Sequence, residues 1–263
     1  MKNKFFKTIT LLCTLSVIGS IIQCSKSERI TPLESSLSAD DSELESRVSI
    51  PILDTLAIGL IGHYKFDGNA KDSRHHLPDI VFEKSGYKTA TPVYTTNRLG
   101  QTNKAIRFTG TYKGDLSSFL LDSISSSISV WIKPEKSLYD SQVYSTSDRL
   151  IFDGGFHFFS FNQIQSSPTI QCSFGYKDKS SKLLNTQWHH LAMTYNGKIL
   201  TYYFDGILNA SFQDFQSFSP AAIHLVLSSY LNLNLWVGSM DELRIYNKEL
   251  SQGAVTALYN LNN

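Results

Sequence analysis

The chain has 263 residues, of which 41% are apolar, 12% aromatic and 18% charged, so it can bury a substantial core and is not a disordered chain. Lys and Arg total 24 against 23 for Asp and Glu, and this balance supplies no electrostatic attraction to nucleic acid. We therefore expect one large domain with appendages and no nucleic-acid partner.

The N-terminal residues have the pattern of an export signal. Lys2, Lys4 and Lys7 precede an apolar run over residues 8–22, which has the length of a secretory signal and is short for a membrane span. The run ends in "IIQCSKSE", which resembles a bacterial lipoprotein processing site. That resemblance implies a signal peptide over residues 1–23 and a lipid on Cys24. A plain secretory signal is the alternative.

The next segment, residues 24–55, predicts a flexible tether. It is rich in Ser, Glu and Asp and contains no aromatic residue. Its closely spaced acids in "SADDSELES" indicate a solvated charge run rather than a binding site. A lipid on Cys24 would anchor the chain to a membrane and hold a folded domain over residues 56–263 clear of it. We therefore expect an exported lipoprotein at the outer membrane or cell surface.

From about residue 57 to 249, short apolar or alternating runs separated by Gly, Asn, Asp and Ser predict β-strands. In "SISVWIK", Ile128, Val130 and Ile132 share one face, which predicts a half-buried strand. In "WHHLAMTYNGKILTYYFDGILNASF", the Asn-Gly and Asp-Gly pairs at 196–197 and 205–206 predict tight turns. They join an antiparallel meander with strands near 188–195, 198–204 and 207–213.

Further strands are expected near 57–66, 104–109, 149–153, 156–161, 168–174, 222–228, 233–237 and 239–246. So many half-apolar strands need a second sheet to bury against, so the predicted fold is all-β, a two-sheet antiparallel sandwich. Cys172 stands alone in this region and predicts a buried thiol rather than a disulfide. Ser251 predicts the N-cap of a short C-terminal helix that runs to about residue 260.

Four segments resemble a known family in order and spacing: "GLIGHYKFDGNAKDSRHH", "SISVWIKP", "WHHLAMTYNGKILTYYFDGIL" and "GSMDELRIYNKELSQGAVTALYN". They are similar to the LamG-like jelly-roll domains of the concanavalin A-like lectin/glucanase superfamily over about residues 57–261. The resemblance implies a jelly roll of two curved sheets, a carbohydrate or protein partner and, in many members, one calcium ion at the edge of the sandwich. The sequence departs from the family at "SRHHLPD", where a glycine-rich stretch is usual, so we expect a rebuilt loop over residues 73–79.

Two neighbouring acids, Asp241 and Glu242, raise the question of catalysis. Consecutive residues of a strand point to opposite faces, so we expect these carboxylates to diverge and not to form an acid–base pair. A retaining glycosidase needs two carboxyl groups about 5 Å apart across a cleft, and no strand shows acids at even spacing. Glu242 and Arg244 share a face and predict a surface ion pair of small value.

Calcium offers another role for one of these acids. It takes six to eight oxygen ligands, and Asp67 and Asp72 stand in a turn with Gly68 and an Asn directly after a predicted strand. The resemblance places this turn beside the start of the last long strand. We therefore predict a structural calcium held by Asp67, Asp72 and Asp241. The alternative is that Asp67 and Asp72 only stabilise the turn through side chain–backbone hydrogen bonds.

Histidines and aromatic residues are the remaining candidates. Adjacent strand residues diverge, so His189 and His190 cannot chelate a metal as a pair, and packing is the favoured role of His190. Tyrosines in loops can stack on sugar rings. The loops "SLYDSQVYSTSDR" and "FGYKDKSS" combine Tyr with charged and small residues. They predict a ligand-binding edge that includes Tyr139, Tyr144, Arg149 and Tyr176.

The sequence therefore favours a non-catalytic module that binds a glycan or a surface or extracellular protein. A carbohydrate-active enzyme of the same fold, a glycosidase or a polysaccharide lyase, is the alternative. The fold by itself does not choose between them.

Overall fold

The computed structural model describes residues 55–84, 89–120, 125–135, 149–153, 159–163, 169–174, 178–183, 185–213, 222–228 and 236–261. Within these ranges the chain is built mainly from β-strands, with helical residues at 55–57 and a C-terminal helix, Gln252–Asn260. The strands are, in chain order, β1 (Leu60–Tyr64), β2 (Val81–Lys84), β3 (Val93–Thr95), β4 (Ala105–Thr109), β5 (Tyr112–Leu120), β6 (Ser126–Pro134), β7 (Arg149–Asp153), β8 (Phe159–Gln163), β9 (Thr169–Phe174), β10 (Asp178–Leu183), β11 (His189–Tyr195), β12 (Ile199–Phe204), β13 (Ile207–Gln213), β14 (Ala222–Leu227) and β15 (Val237–Tyr246). None of the described helices is long and apolar enough to span a membrane.

The strands form two antiparallel sheets. Sheet I has eight strands in the order β13-β12-β11-β6-β15-β4-β3, and its eighth strand, β1, pairs with β15 end to end with β4. Sheet II has seven strands in the order β10-β9-β8-β7-β14-β5-β2. The predicted all-β sandwich is thus confirmed, and the long strand β15 lies at the centre of sheet I between β6 and the pair β4 and β1.

The main core fills the space between the sheets. Ile128, Val130 and Ile132 of β6 point into it, as the alternation in this strand predicted, and the same core includes Leu225 and Leu227 of β14. Burying one such side chain contributes about 1.5–3 kcal/mol. Cys172, the one cysteine among the described residues, is also buried in this core, as predicted.

The opposite face of sheet I is buried as well. Leu56, Tyr203 and Tyr246 pack there against Val255 and Leu258 of the C-terminal helix in a second apolar cluster. The expectation that β6 is only half-buried is therefore wrong, because the helix covers the face that the sequence pattern left to solvent.

The central meander forms as its turn residues predict. Strands β11, β12 and β13 pair in order, and both Asp205 and Gly206 adopt positive φ in the second turn. The C-terminal helix also agrees with its prediction, because Ser251 caps it through a hydrogen bond from the backbone N–H of Ala254. Both features were recognised from local chemistry alone.

Candidate functional site

A β-bulge interrupts β15 at the two acids that raised the question of catalysis. Asp241 pairs with Trp131 of β6 and Arg244 with Ser129, so three steps along β15 match two steps along β6. The extra residue is Glu242, whose φ of 56° lies in the left-handed region. The bulge lies where the neighbour of β15 changes from β4 to β1.

The bulge changes which face each side chain meets. Met240, Leu243 and Ile245 all point into the inter-sheet core, so Asp241 and Arg244 both lie on the outer face of sheet I. Glu242 contacts Arg244 and therefore reaches the same face. The expectation that Asp241 and Glu242 diverge is wrong, because strict alternation fails at a residue with left-handed backbone.

Arg98 closes over Asp241 from the loop between β3 and β4. Its Nη1 donates a hydrogen bond to Asp241 Oδ2 at 2.8 Å, and its Nη2 donates to the backbone carbonyl of Leu261 at 3.2 Å. Its guanidinium carbon also lies 4.9 Å from the centre of the Trp131 ring, within range of a cation–π interaction. Asp241 is consequently only 1% exposed.

Sequence reasoning missed Arg98. The available signal was a turn: Asn97 Oδ1 accepts hydrogen bonds from the backbone N–H groups of Leu99 and Gln101, and Gly100 has a φ of 76°. The "NRLG" stretch could have predicted this turn, but nothing in it indicates that its Arg points inward.

Glu242 has two partners of its own. Its Oε2 accepts a hydrogen bond from His63 Nε2 at 2.7 Å and lies 2.5 Å from Arg244 Nη2. The predicted ion pair between Glu242 and Arg244 is confirmed, although it is mostly buried rather than at the surface. The ionised carboxylate is an acceptor only, so the His63 ring donates from Nε2.

The two acids have opposite electrostatic surroundings. Burial raises the pKa of Asp241 to about 7, and the negative charge of Glu242 acts in the same direction while Arg98 opposes it. Burial would also raise the pKa of Glu242, but the hydrogen bond from His63 and the charge of Arg244 outweigh it and lower this pKa to about 2. Pairs of carboxyl groups separated in this way occur in acid–base catalysis.

Aromatic packing completes this face. Trp131 stacks on Tyr259 of the helix with ring centres 5.6 Å apart, and His190 lies 5.4 Å from Trp131. His190 is fully buried and its Nε2 is 2.8 Å from Ser129 Oγ, which confirms its packing role. Burial lowers the pKa of His190 to about 3.

Asp72 has a different environment in the loop after β1. One carboxylate oxygen accepts the backbone N–H groups of His63 and Arg74 at 2.7 and 3.0 Å, and the other accepts those of His76 and Leu77, both at 2.9 Å. Burial would raise the pKa of Asp72, but these four bonds outweigh it and lower the pKa. Asp72 therefore holds the loop after β1 through its backbone, which is the alternative role to calcium binding.

The three acids predicted to hold calcium all have protein partners. Asp72 has its four backbone donors, Asp241 has Arg98, and the exposed Asp67 lies 3.1 Å from Lys104 Nζ. Among the described residues, no three His, Cys, Asp or Glu side chains come together as a metal site. As arranged, these carboxylates do not fit a calcium ion, and calcium binding stays a prediction.

Most residues of the predicted ligand-binding edge lie outside the described ranges. Tyr139, Tyr144 and Tyr176 lie outside the described residues. Arg149 is the first residue of β7, an interior strand of sheet II between β8 and β14, and its backbone pairs with Gln163. Cys24 and the predicted signal and tether precede the described ranges as well.

Comparison with known proteins gives a family and a set of folds. Residues 108–256, more than half of the chain, match the family model described as the concanavalin A-like lectin/glucanases superfamily. No curated protein matches the sequence. Among solved structures, the chain is similar to domain 4 of AbnA, a GH43 extracellular arabinanase from Geobacillus stearothermophilus, in complex with arabinotriose. The TM-score is 0.59 at 23% identity, over 76% of this chain and 98% of that domain.

Two toxin domains are also similar in fold. One is the ligand-binding domain of botulinum neurotoxin serotype D in complex with N-acetylneuraminic acid, with a TM-score of 0.57 at 14% identity over 80% of this chain and 53% of that one. The other is the binding domain of botulinum neurotoxin DC in complex with SialylT. Its TM-score is 0.54 at 12% identity, over 78% of this chain and 52% of that one. The chain thus spans about half of each toxin domain.

Proposed function

Because the chain belongs to the concanavalin A-like lectin/glucanases superfamily, we propose that it is an exported, lipid-anchored module that binds a glycan without cleaving it. The similar structures are one domain of an arabinanase in complex with arabinotriose and two toxin binding domains in complex with N-acetylneuraminic acid and SialylT. Their TM-scores of 0.54–0.59 support a shared fold, and at identities of 12–23% a glycan ligand comes to this chain as a proposal.

The proposal that the module does not cleave its ligand rests on the enclosure of Asp241 and Glu242. A catalytic carboxyl group has to reach the substrate, directly or through one water molecule. Asp241 is sealed beneath Arg98, and Glu242 is engaged by both His63 and Arg244. This arrangement suits a cluster that holds the helix and two loops on the sheet better than one that attacks a glycosidic bond.

A glycosidase of the same fold is the second candidate, and one observation favours it. With pKa values of about 7 for Asp241 and about 2 for Glu242, one carboxyl group could act as a general acid while the other stays ionised as a nucleophile. A screen for reducing ends released from polysaccharides separates the candidates. We expect no release. Release that disappears in Asp241→Asn, in a variant that still folds, would establish the enzyme instead.

The binding activity itself is tested on a glycan array with the full chain, with and without a calcium chelator. We expect binding to a defined set of glycans, weakened when Tyr139, Tyr144, Arg149 or Tyr176 is replaced by Ala. Loss of binding on chelation would support the predicted calcium. An array without any binding, together with capture of a surface or extracellular protein, would favour a protein partner over a glycan.

Anchoring is tested separately. In a bacterial host, the wild-type chain should incorporate a labelled fatty acid and fractionate with membranes. Cys24→Ala should lose the label and leave the membrane fraction, because Cys24 is the residue that carries the lipid in this proposal. An unlabelled wild-type chain in the soluble exported fraction would contradict lipid anchoring and favour the plain secretory signal.

A further inference from the structure

Three consecutive side chains on the loop after β1 are exposed and unpaired. Arg74, His75 and His76, called here the basic loop, have exposed side chains, and these side chains make no hydrogen bond or ion pair with another described residue. Together they offer a guanidinium and two imidazoles, all hydrogen-bond donors. From Gly68 to Pro78 the sequence contains one acid, Asp72, and its carboxylate is buried among backbone N–H groups.

The basic loop is held rigidly on both sides. Asp72 binds the backbone N–H groups of Arg74 and His76 directly, and both the hydroxyl and the N–H of Ser73 donate to the carbonyl of His63. Leu77 lies so close over Gly62 that a Cβ there would stand 2.5 Å from its Cδ1. A backbone fixed in this way loses little conformational entropy when the loop binds a ligand, so only the side chains have to be ordered.

The backbone at His75 gives an independent reason to look for a ligand. Its φ of 58° lies in the left-handed region, which glycine adopts without cost and other residues adopt at a penalty. The loop geometry would therefore be satisfied better by glycine than by histidine. The imidazole is exposed and makes no hydrogen bond or ion pair with another described residue, so side-chain bonding within the loop does not account for a histidine here.

The charge of this surface indicates the ligand. Lys71 is exposed immediately before the loop, and the nearest exposed acid on its N-terminal side, Asp67, is paired with Lys104. One exposed acid, Asp79, follows the loop, so Lys71 and Arg74 leave this surface with a net positive charge. An Arg side chain binds carboxylate or sulfate groups through two parallel hydrogen bonds. We propose that the basic loop is a binding site for an anionic glycan, one that carries carboxylate or sulfate groups. This inference rests on the proposed glycan-binding function and names the class of glycan.

The test uses the full chain and four polysaccharides: polygalacturonate, dextran sulfate, and the neutral arabinan and dextran. Arg74→Gln should weaken binding of the anionic polysaccharides by about tenfold, the loss of one charged contact. His75→Gly should also weaken it, while its melting temperature stays at or above that of the wild type, because glycine relieves the left-handed strain. The matched control is Lys198→Gln, which removes an exposed cation from the turn between β11 and β12.

The outcomes separate this inference from the proposed function. Binding of polygalacturonate alone assigns carboxylate groups, and binding of dextran sulfate alone assigns sulfate groups; either supports the proposal if the loop variants lose it. Unchanged anionic binding in both loop variants, or an equal loss in Lys198→Gln, overturns it. Binding of neutral polysaccharides only overturns the anionic site and leaves the glycan-binding function standing. No binding to any glycan here or on the array overturns both.

Discussion

Replacing Asp72 by Asn tests whether this carboxylate stabilises the loop or holds calcium. An Asn side chain keeps one acceptor oxygen, so two of the four backbone N–H groups that Asp72 now satisfies at 2.7–3.0 Å would face an NH2 group. Each lost hydrogen bond to a charged group costs about 1.5–3 kcal/mol. We therefore expect Asp72→Asn to lower the free energy of unfolding by about 3–6 kcal/mol, a large part of a typical total of about 5–15 kcal/mol.

The matched control is Asp67→Asn in the same loop. Asp67 is exposed and pairs with Lys104 in water, so its loss should cost less than about 1 kcal/mol. Both variants and the wild type are unfolded in urea, each with added calcium and with a chelator. We expect Asp72→Asn to lower the free energy of unfolding by the same large amount with calcium and with the chelator.

Two results would refute this reasoning. In the first, Asp72→Asn lowers the free energy of unfolding no more than Asp67→Asn does. The four backbone hydrogen bonds would then contribute little to stability. The other is a chelator that destabilises the wild type as much as the substitution does and has no further effect on Asp72→Asn. That pattern would show that Asp72 acts through calcium, as the sequence first predicted.

Three further predictions concern local features. Ser251→Ala should cost about 1 kcal/mol by removing the helix cap, whereas Gly253→Ala should stabilise the same helix by about 0.5–1 kcal/mol, both measured by thermal unfolding. Gly238→Ala should prevent folding in a circular dichroism assay, because a Cβ there would collide with Trp236 and stand 2.7 Å from the carbonyl of Lys133. The pKa of His190 is lowered to about 3 from its ordinary 6.5, so below pH 6.5 the unfolded chain takes up a proton that the folded chain refuses, and stability falls. Relative to His190→Gln, the wild type should lose about 2 kcal/mol between pH 7.5 and pH 5, and an unchanged difference would contradict the burial argument.

The sequence predicted the parts of the fold whose cause is local. The Asp205-Gly206 turn and the Ser251 cap depend on nearby residues, and both formed where expected. The missed strands have other causes. β10, "DKSSKL", pairs on one side only as an edge strand and carries no apolar alternation, and Gly114 in β5 reads as a loop residue. In the structure, Gly114 lets Ile80 and Phe82 pack against the backbone of β5, a contact that sequence spacing does not show.

The candidate site was harder to predict because its residues meet through tertiary structure. Arg98 lies 143 residues before its partner Asp241, and His63 lies 179 residues before its partner Glu242, so neither pair gives a local signal. The sequence predicted strands over 233–237 and 239–246, but the structure has one strand, β15, with the bulge inside it. A single non-glycine residue with positive φ was enough to reverse the expected faces.

The bulge leads to a last prediction about deletions. If β15 alternated strictly after Met240, Glu242 and Arg244 would point into the apolar core and Leu243 would point out. The extra residue prevents this, and Glu242 is that residue, because Asp241 and Arg244 keep the register with β6. Deleting Glu242 should therefore leave Leu243 inside and the strand pairs intact.

The expected cost of that deletion is about that of removing one partner of a buried ion pair, about 3–5 kcal/mol, since Arg244 and His63 lose Glu242. Deleting Leu243 also shortens β15 by one residue, but it moves Glu242 into the core position. An unpaired carboxylate cannot be accommodated there. Circular dichroism and urea unfolding should find the Glu242 deletion folded with two intact sheets and the Leu243 deletion unfolded. Equal behaviour of the two deletions would mean that the bulge does not set the phase of β15, and the shared outer face of Asp241 and Arg244 would need another cause.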